Sequence, residues 1–264
     1  MAGQTIKLVL LLFLMLNISA FAQKSQKVTE VSRVPMLEPR RLIDCPTAGL
    51  LPRASFDFDI RMFPAGGVIF GLDIGLMKRF MVGMSFGGEN VIGEGEADWN
   101  PRIEFAAKYR LINESWGFPA LAIGYDSQGD GVFNDSLDRY SYKSKGFYAV
   151  MSKGYAAGEV PFGLHGGINY SLENDDEDKD VSLFFGTDMR FGDNLGVVAE
   201  YDLGTNDDKA KELFGQGYGY LNIGIQWIFS EQLFLQFNLK NLLLNRKDIS
   251  TWGRGFRIVY FESF

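Results

Sequence analysis

From Ala54 to Phe264 the chain alternates apolar and polar residues with a period of two, and this pattern constrains the fold more than any other feature. Ala54, Phe56, Phe58, Ile60 and Met62 interleave with Ser55, Asp57, Asp59 and Arg61, so one strand face is apolar and the other charged. Ile103, Phe105, Ala107, Tyr109 and Leu111 likewise oppose Arg102, Glu104, Lys108 and Arg110. A face carrying that much charge does not fill the core of a soluble sandwich. It fits a barrel turned inside out, with apolar side chains toward lipid and polar ones toward a lumen. The alternation predicts twelve strands, over 54–62, 70–76, 80–86, 103–111, 120–125, 146–153, 162–172, 181–191, 195–203, 218–229, 233–239 and 256–264. The expected fold is all-β, a single antiparallel transmembrane β-barrel of about twelve strands, with ten or fourteen as the alternative counts.

Connection lengths carry independent information, because bacterial barrels join strands by short periplasmic turns and longer external loops. The connections 77–79, 113–117, 156–160, 192–194 and 230–232 are short; 88–100, 126–145, 173–180, 204–217 and 243–254 are long. The turn 64–67 is the one short external connection. With an even strand count this phase places both termini in the periplasm. Trp116, Phe118, Phe162, Phe191, Phe229 and Phe264 fall near the periplasmic ends, and Trp99, Tyr125, Tyr170, Tyr201, Tyr218 and Trp252 near the external ones, as two interfacial girdles require.

The N-terminus sets the compartment. Lys7 precedes the apolar run Leu8 to Leu16, and Ala20-Phe21-Ala22 supplies a small-x-small cleavage site, so residues 1–22 read as a signal peptide cleaved after Ala22. Residues 23–48, polar and broken by Pro35, Pro39 and Pro46, read as a periplasmic lead-in, and 49–264 as the barrel, with the outer membrane as its location. Loss of Lys7 takes the net charge from −7 to −8. With no basic tract, nucleic acid is excluded as a partner. The expected partners are outer-membrane lipid and lipopolysaccharide, the barrel assembly machinery and a polysaccharide. Cys45 is the sole cysteine, which excludes an internal disulfide, and it does not sit where a lipidated cysteine would.

Groups that carry chemistry are few. His165 is the single histidine and its phase turns it to the lumen, so a multi-histidine metal site is excluded. The residues following it, Gly166 and Gly167, do not supply the serine of an outer-membrane phospholipase, and no enzyme activity or cofactor is expected. Asp126, Asp130, Asp135 and Asp138 form a candidate cation-binding loop with glycine flexibility but without EF-hand spacing, and the acidic run 173–180 is comparable. The informative constellation is the predicted lumen face: Asp57, Asp59, Arg61, Asp73, Arg102, Glu104, Lys108, Arg110, Asp188, Arg190, Glu200, Asp202, Lys240 and Arg257. A twelve-stranded barrel is intermediate in bore, so a narrow pore and a plugged barrel are both reasonable. Phe256, Ile258, Tyr260 and Phe264 share one face and form a candidate assembly signal, with Glu262 as a charged departure.

Pro46-Thr47-Ala48-Gly49, Asn100-Pro101 with Lys108-Tyr109-Arg110, 119–124, 148–153 and 163–167 together resemble the YjbH-type family of outer-membrane proteins over roughly residues 46 to 170. That resemblance implies a barrel associated with exopolysaccharide production and names no catalytic residue. Two functions follow as expectations. The first is a transport or secretion barrel, a narrow channel or an accessory to surface exopolysaccharide export. The second is a non-conducting structural or adhesive barrel that binds cations, glycan or a protein through its loops.

Overall fold

The computed structural model describes residues 38–208 and 214–264. Among these residues twelve long strands close into an antiparallel barrel, and three short strands decorate its loops. In chain order they are β1 (Ser55–Phe63), β2 (Gly67–Met77), β3 (Phe80–Glu89), β4 (Asp98–Trp99), β5 (Glu104–Ile112), β6 (Ala120–Asp126), β7 (Asp130–Asn134), β8 (Arg139–Tyr142), β9 (Gly146–Ala157), β10 (Val160–Tyr170), β11 (Ser182–Phe191), β12 (Leu195–Asp202), β13 (Tyr220–Ile228), β14 (Leu233–Lys240) and β15 (Gly253–Ser263).

Every wall strand pairs with its sequence neighbour in the wall, and β1 pairs with β15 from Ser55↔Ser263 to Met62↔Phe256 to close the ring. β4 extends the edge of β3, while β7 and β8 form a separate hairpin within the β6–β9 connection. The start of β1 and the end of β15 lie at the same end of the barrel, together with all the short turns except 64–66. The predicted strand number and the alternation of turn lengths therefore match the structure. The long loops differ from the sequence reading in carrying β4 and the β7–β8 hairpin.

The outer face is apolar on strand after strand: Phe58, Phe70, Phe105, Phe147, Met151, Ile225 and Phe237 are all exposed. A continuous apolar belt of this kind is unfavourable in water and is the surface that hydrocarbon covers. Trp116, Phe118, Phe229 and Phe264 ring the terminal end, and Trp99, Tyr218 and Trp252 the loop end.

Among the described residues, the clusters of buried apolar side chains lie where the chain ahead of β1 meets the wall. Leu42 and Ile43 pack on Val198; Cys45 and Ala48 pack on Ala120, Ala122, Tyr148, Val150 and Phe184; Leu50 and Leu51 pack on Met81. Residues 38–48, the described part of the expected periplasmic lead-in, thus run inside the barrel. The lead-in reading missed this because Leu42, Ile43, Cys45 and Ala48 follow no period, having no regular element to impose one.

Candidate functional site

The site is the lumen and the segment that fills it. Residues 38–53 enter at the terminal end, rise to a turn at 42–45 and return to β1. A two-residue bridge between Arg41 and Pro46, with Leu42 N–H donating to Cys45 O and Thr47 N–H to Arg40 O, closes the turn on itself.

The wall grips this turn through its main chain. The Glu200 carboxylate accepts the amides of Ile43, Asp44 and Cys45 at 2.9–3.1 Å. Three successive N–H groups around one carboxylate are charge-assisted bonds, about twice as strong as neutral ones. Lys108 Nζ donates to the carbonyls of Arg40, Thr47 and Gly49 at 2.8, 3.0 and 3.2 Å. Arg110 donates twice to Ala48 O, Gln236 Nε2 donates to Leu42 O, and Ala48 N–H donates to Ser152 Oγ.

Charges of the segment meet opposite charges of the barrel. Arg40 pairs with Asp57 and Asp73, Arg41 with Asp126, and Asp44 with Lys240. One close approach depends on glycine: a Cβ on Gly186 would lie 2.2 Å from Leu42 Cδ1.

The predicted lumen residues fall into this scheme. Asp57, Asp73, Lys108, Arg110, Glu200 and Lys240 hold the segment directly. Asp59 accepts both arms of the Arg257 guanidinium across the β1–β15 seam at 2.9 Å. Asp202 pairs with Lys145, and Glu104 with Arg102, which also reaches Asp138 at the rim. Arg190 shares the inward face with Asp188 near the terminal end. Arg61 borders the space beyond the turn, and its buried Nε has no hydrogen-bond partner among the described residues.

His165 joins a row that the sequence reading did not assemble. Its Nδ1 is 2.8 Å from Ser152 Oγ and its Nε2 is 2.7 Å from Asp188 Oδ1. The tautomer protonated at Nε2 satisfies all three groups. Because the Ser152 oxygen also receives the Ala48 amide, the row anchors the segment from below. Ser152, Asn222 and Gln236 were not singled out earlier, although the same inward phase that found the charges marks these neutral polar residues.

The long loops close the other end. Arg139, fully buried, donates to Asp207 and Asp176; Lys143 also binds Asp176, and Tyr220 O–H donates to Asp207. Tyr140 O–H reaches Glu104 at 3.1 Å. These contacts tie the β7–β8 hairpin to the β10–β11 and β12–β13 loops across the mouth.

The carboxylates of the candidate cation-binding loop do not converge. Asp126 is taken by Arg41, Asp130 by Lys240 and Asp138 by Arg102, with Asp135 on the exposed hairpin turn. Among the described residues no group of three or more metal-type ligands comes together. Asp126, Asp130 and Asp138 each meet a cation from elsewhere in the chain, which spacing within the loop does not reveal.

Of the candidate assembly residues, Phe256, Ile258 and Tyr260 lie on the outward face opposite the buried Arg257 and Val259. Phe264 packs on Phe56, with ring centroids 5.3 Å apart. Glu262 accepts Tyr260 O–H and Gln232 Nε2 at the rim, which accommodates its charge in polar surroundings.

No protein-family model matches the chain, and no curated protein does. Among solved structures it is similar to the KdgM porin at 12% identity and a TM-score of 0.47, over 80% of this chain and 99% of that one. It is also similar to the outer membrane protein Omp33 of Acinetobacter baumannii, at 9% identity and a TM-score of 0.44 over 80% and 97%. A third is the COG4313 outer membrane channel of Pseudomonas putida F1, at 12% identity and a TM-score of 0.44 over 81% and 97%. These likenesses assign no residue a role, and nothing among them bears on the YjbH-type resemblance.

Proposed function

We propose that this chain is an outer-membrane transport barrel, exported through its 1–22 signal peptide, whose lumen is closed by its own segment 38–53 and opens when that segment withdraws. One observation carries the reading. Among the described residues, no main-chain hydrogen bond joins 38–53 to a wall strand, so the segment leaves without breaking the sheet. Behind it the wall is mixed, with the charged and amide side chains of Asp57, Lys108, Glu200 and Gln236 standing among the apolar patches at Val150, Phe184 and Val198.

Lys108→Met in the full-length protein tests it. The carbonyls of Arg40, Thr47 and Gly49 lose the Lys108 donor, Arg40 O keeping the Thr47 amide, and a buried polar group without a partner costs about 1–3 kcal/mol. Cys45, buried against Phe184, reports the outcome through its reaction with a thiol reagent. In planar bilayers the wild type is expected to be mostly silent, and the variant to show discrete openings together with fast Cys45 labelling. A folded variant with reactive Cys45 and no conductance would sink the reading.

Export of a surface glycan is the finer form of this proposal and rests on the YjbH-type resemblance alone. Unchanged exopolysaccharide secretion in cells lacking the gene would remove it.

A further inference from the structure

The groups that hold the segment are arranged for one kind of chemistry. Glu200 and Ser152 take amide hydrogens; Lys108, Arg110 and Gln236 give to carbonyls. These five side chains come from β12, β9, β5 and β14, so the cradle surrounds its contents from several sides of the ring. Their contacts fall on the main chain of Arg40, Leu42, Ile43, Asp44, Cys45, Thr47, Ala48 and Gly49, atoms that every non-proline residue offers. A carboxylate bound by three consecutive amides fits a polypeptide turn, and a polysaccharide built of hydroxyls and ring oxygens has no such row of N–H donors.

We infer that the lumen wall is a polypeptide-binding site that reads the main chain of a turn, and that a peptide supplied in trans from the terminal end takes the place of 38–53 when that segment leaves. Side-chain contacts set direction and register: Lys240 receives an acidic residue at the turn tip, while Asp57, Asp73 and Asp126 receive basic residues ahead of it. The inference rests on the segment being removable, and names the class of chain that the vacated lumen accepts.

The test uses full-length Leu42→Asp, which places a charge where Leu42 is fully buried against Val198 and leaves every wall residue intact. Ile43→Asp, which places a charge at the neighbouring buried residue of the turn and likewise leaves the wall intact, is the second variant. Cys45 labelling shows that the segment has left. A fluorescent peptide of sequence 38–50 is then expected to bind in micelles. The same peptide N-methylated at the three amides that face Glu200 should bind at least about 100-fold more weakly, about 2.7 kcal/mol. A peptide with Leu42 and Ile43 exchanged for other apolar residues should stay within about tenfold, and maltohexaose should not compete.

Reactive Cys45 without peptide binding overturns the inference, as does equal binding of the N-methylated peptide. Cys45 protected in both variants overturns it too, because the segment then does not exchange. Conductance of the Leu42→Asp protein without peptide binding would sink this inference alone and leave the transport reading standing.

Discussion

Glu173 stands in the loop between β10 and β11 and is almost fully buried, with the Ser144 amide donating to one carboxylate oxygen. Burial pushes its carboxyl up from 4.5 to about 8, against that hydrogen bond and the more distant Arg139. The folded state therefore holds the proton at pH values where the unfolded state has released it. Its stabilising contribution is complete below about 4.5 and is lost as pH rises through about 8. We expect hydrogen exchange in 171–181 to be faster at pH 9 than at pH 5 after correction for intrinsic rates, and Glu173→Gln to flatten that difference. Equal pH dependence in both proteins would count against a buried, protonated Glu173. At this scale the sequence was half legible. Alternation alone puts Lys108 and Glu200 on the inward face, but the carbonyls that Lys108 binds lie 59 to 68 positions earlier, and no local pattern connects them.

Strands were legible because each must satisfy two environments at once, and the period of two records that requirement residue by residue. Ile225 on β13 and Phe229 just beyond it illustrate how depth grades the constraint, both being exposed on the outer face. A charge near the hydrocarbon midplane costs about 2–4 kcal/mol and near the interface about 0–1. Ile225→Arg should therefore lower the unfolding free energy in lipid vesicles by about 2–4 kcal/mol, and Phe229→Arg by no more than about 1. Denaturant titration of the two variants side by side checks the gradient; equal losses would place the belt elsewhere. The β7–β8 hairpin was not legible, because its Asp130 and Arg139 look like solvated loop charges until Lys240, Asp176 and Asp207 are seen opposite them. The turn at 42–45 was hidden for a related reason: its amides are held by wall side chains, so neither helix nor strand periodicity is needed to satisfy them.

At the scale of the whole barrel, the seam joins the two ends of the described wall. Phe264 N–H donates to Ala54 O at 2.9 Å, immediately after the plugging segment, while its ring lies on Phe56. Deleting Phe264 removes both contacts, so refolding into vesicles should slow while the final barrel retains its strand content; a gel series resolving folded and unfolded forms over time measures this. Unchanged kinetics would show that the seam does not need its last residue. The way 38–53 is joined to that seam also has a mechanical meaning. A pull on the chain ahead of Glu38, directed out of the terminal end, peels the turn's contacts one after another. The same pull on β1 is resisted in shear by the ladders to β15 and β2, from Ser55 to Met62 on one side and Ser55 to Phe63 on the other, all loaded together. Bonds broken singly yield at lower force than bonds loaded in parallel, so traction empties the lumen well before it tears the wall.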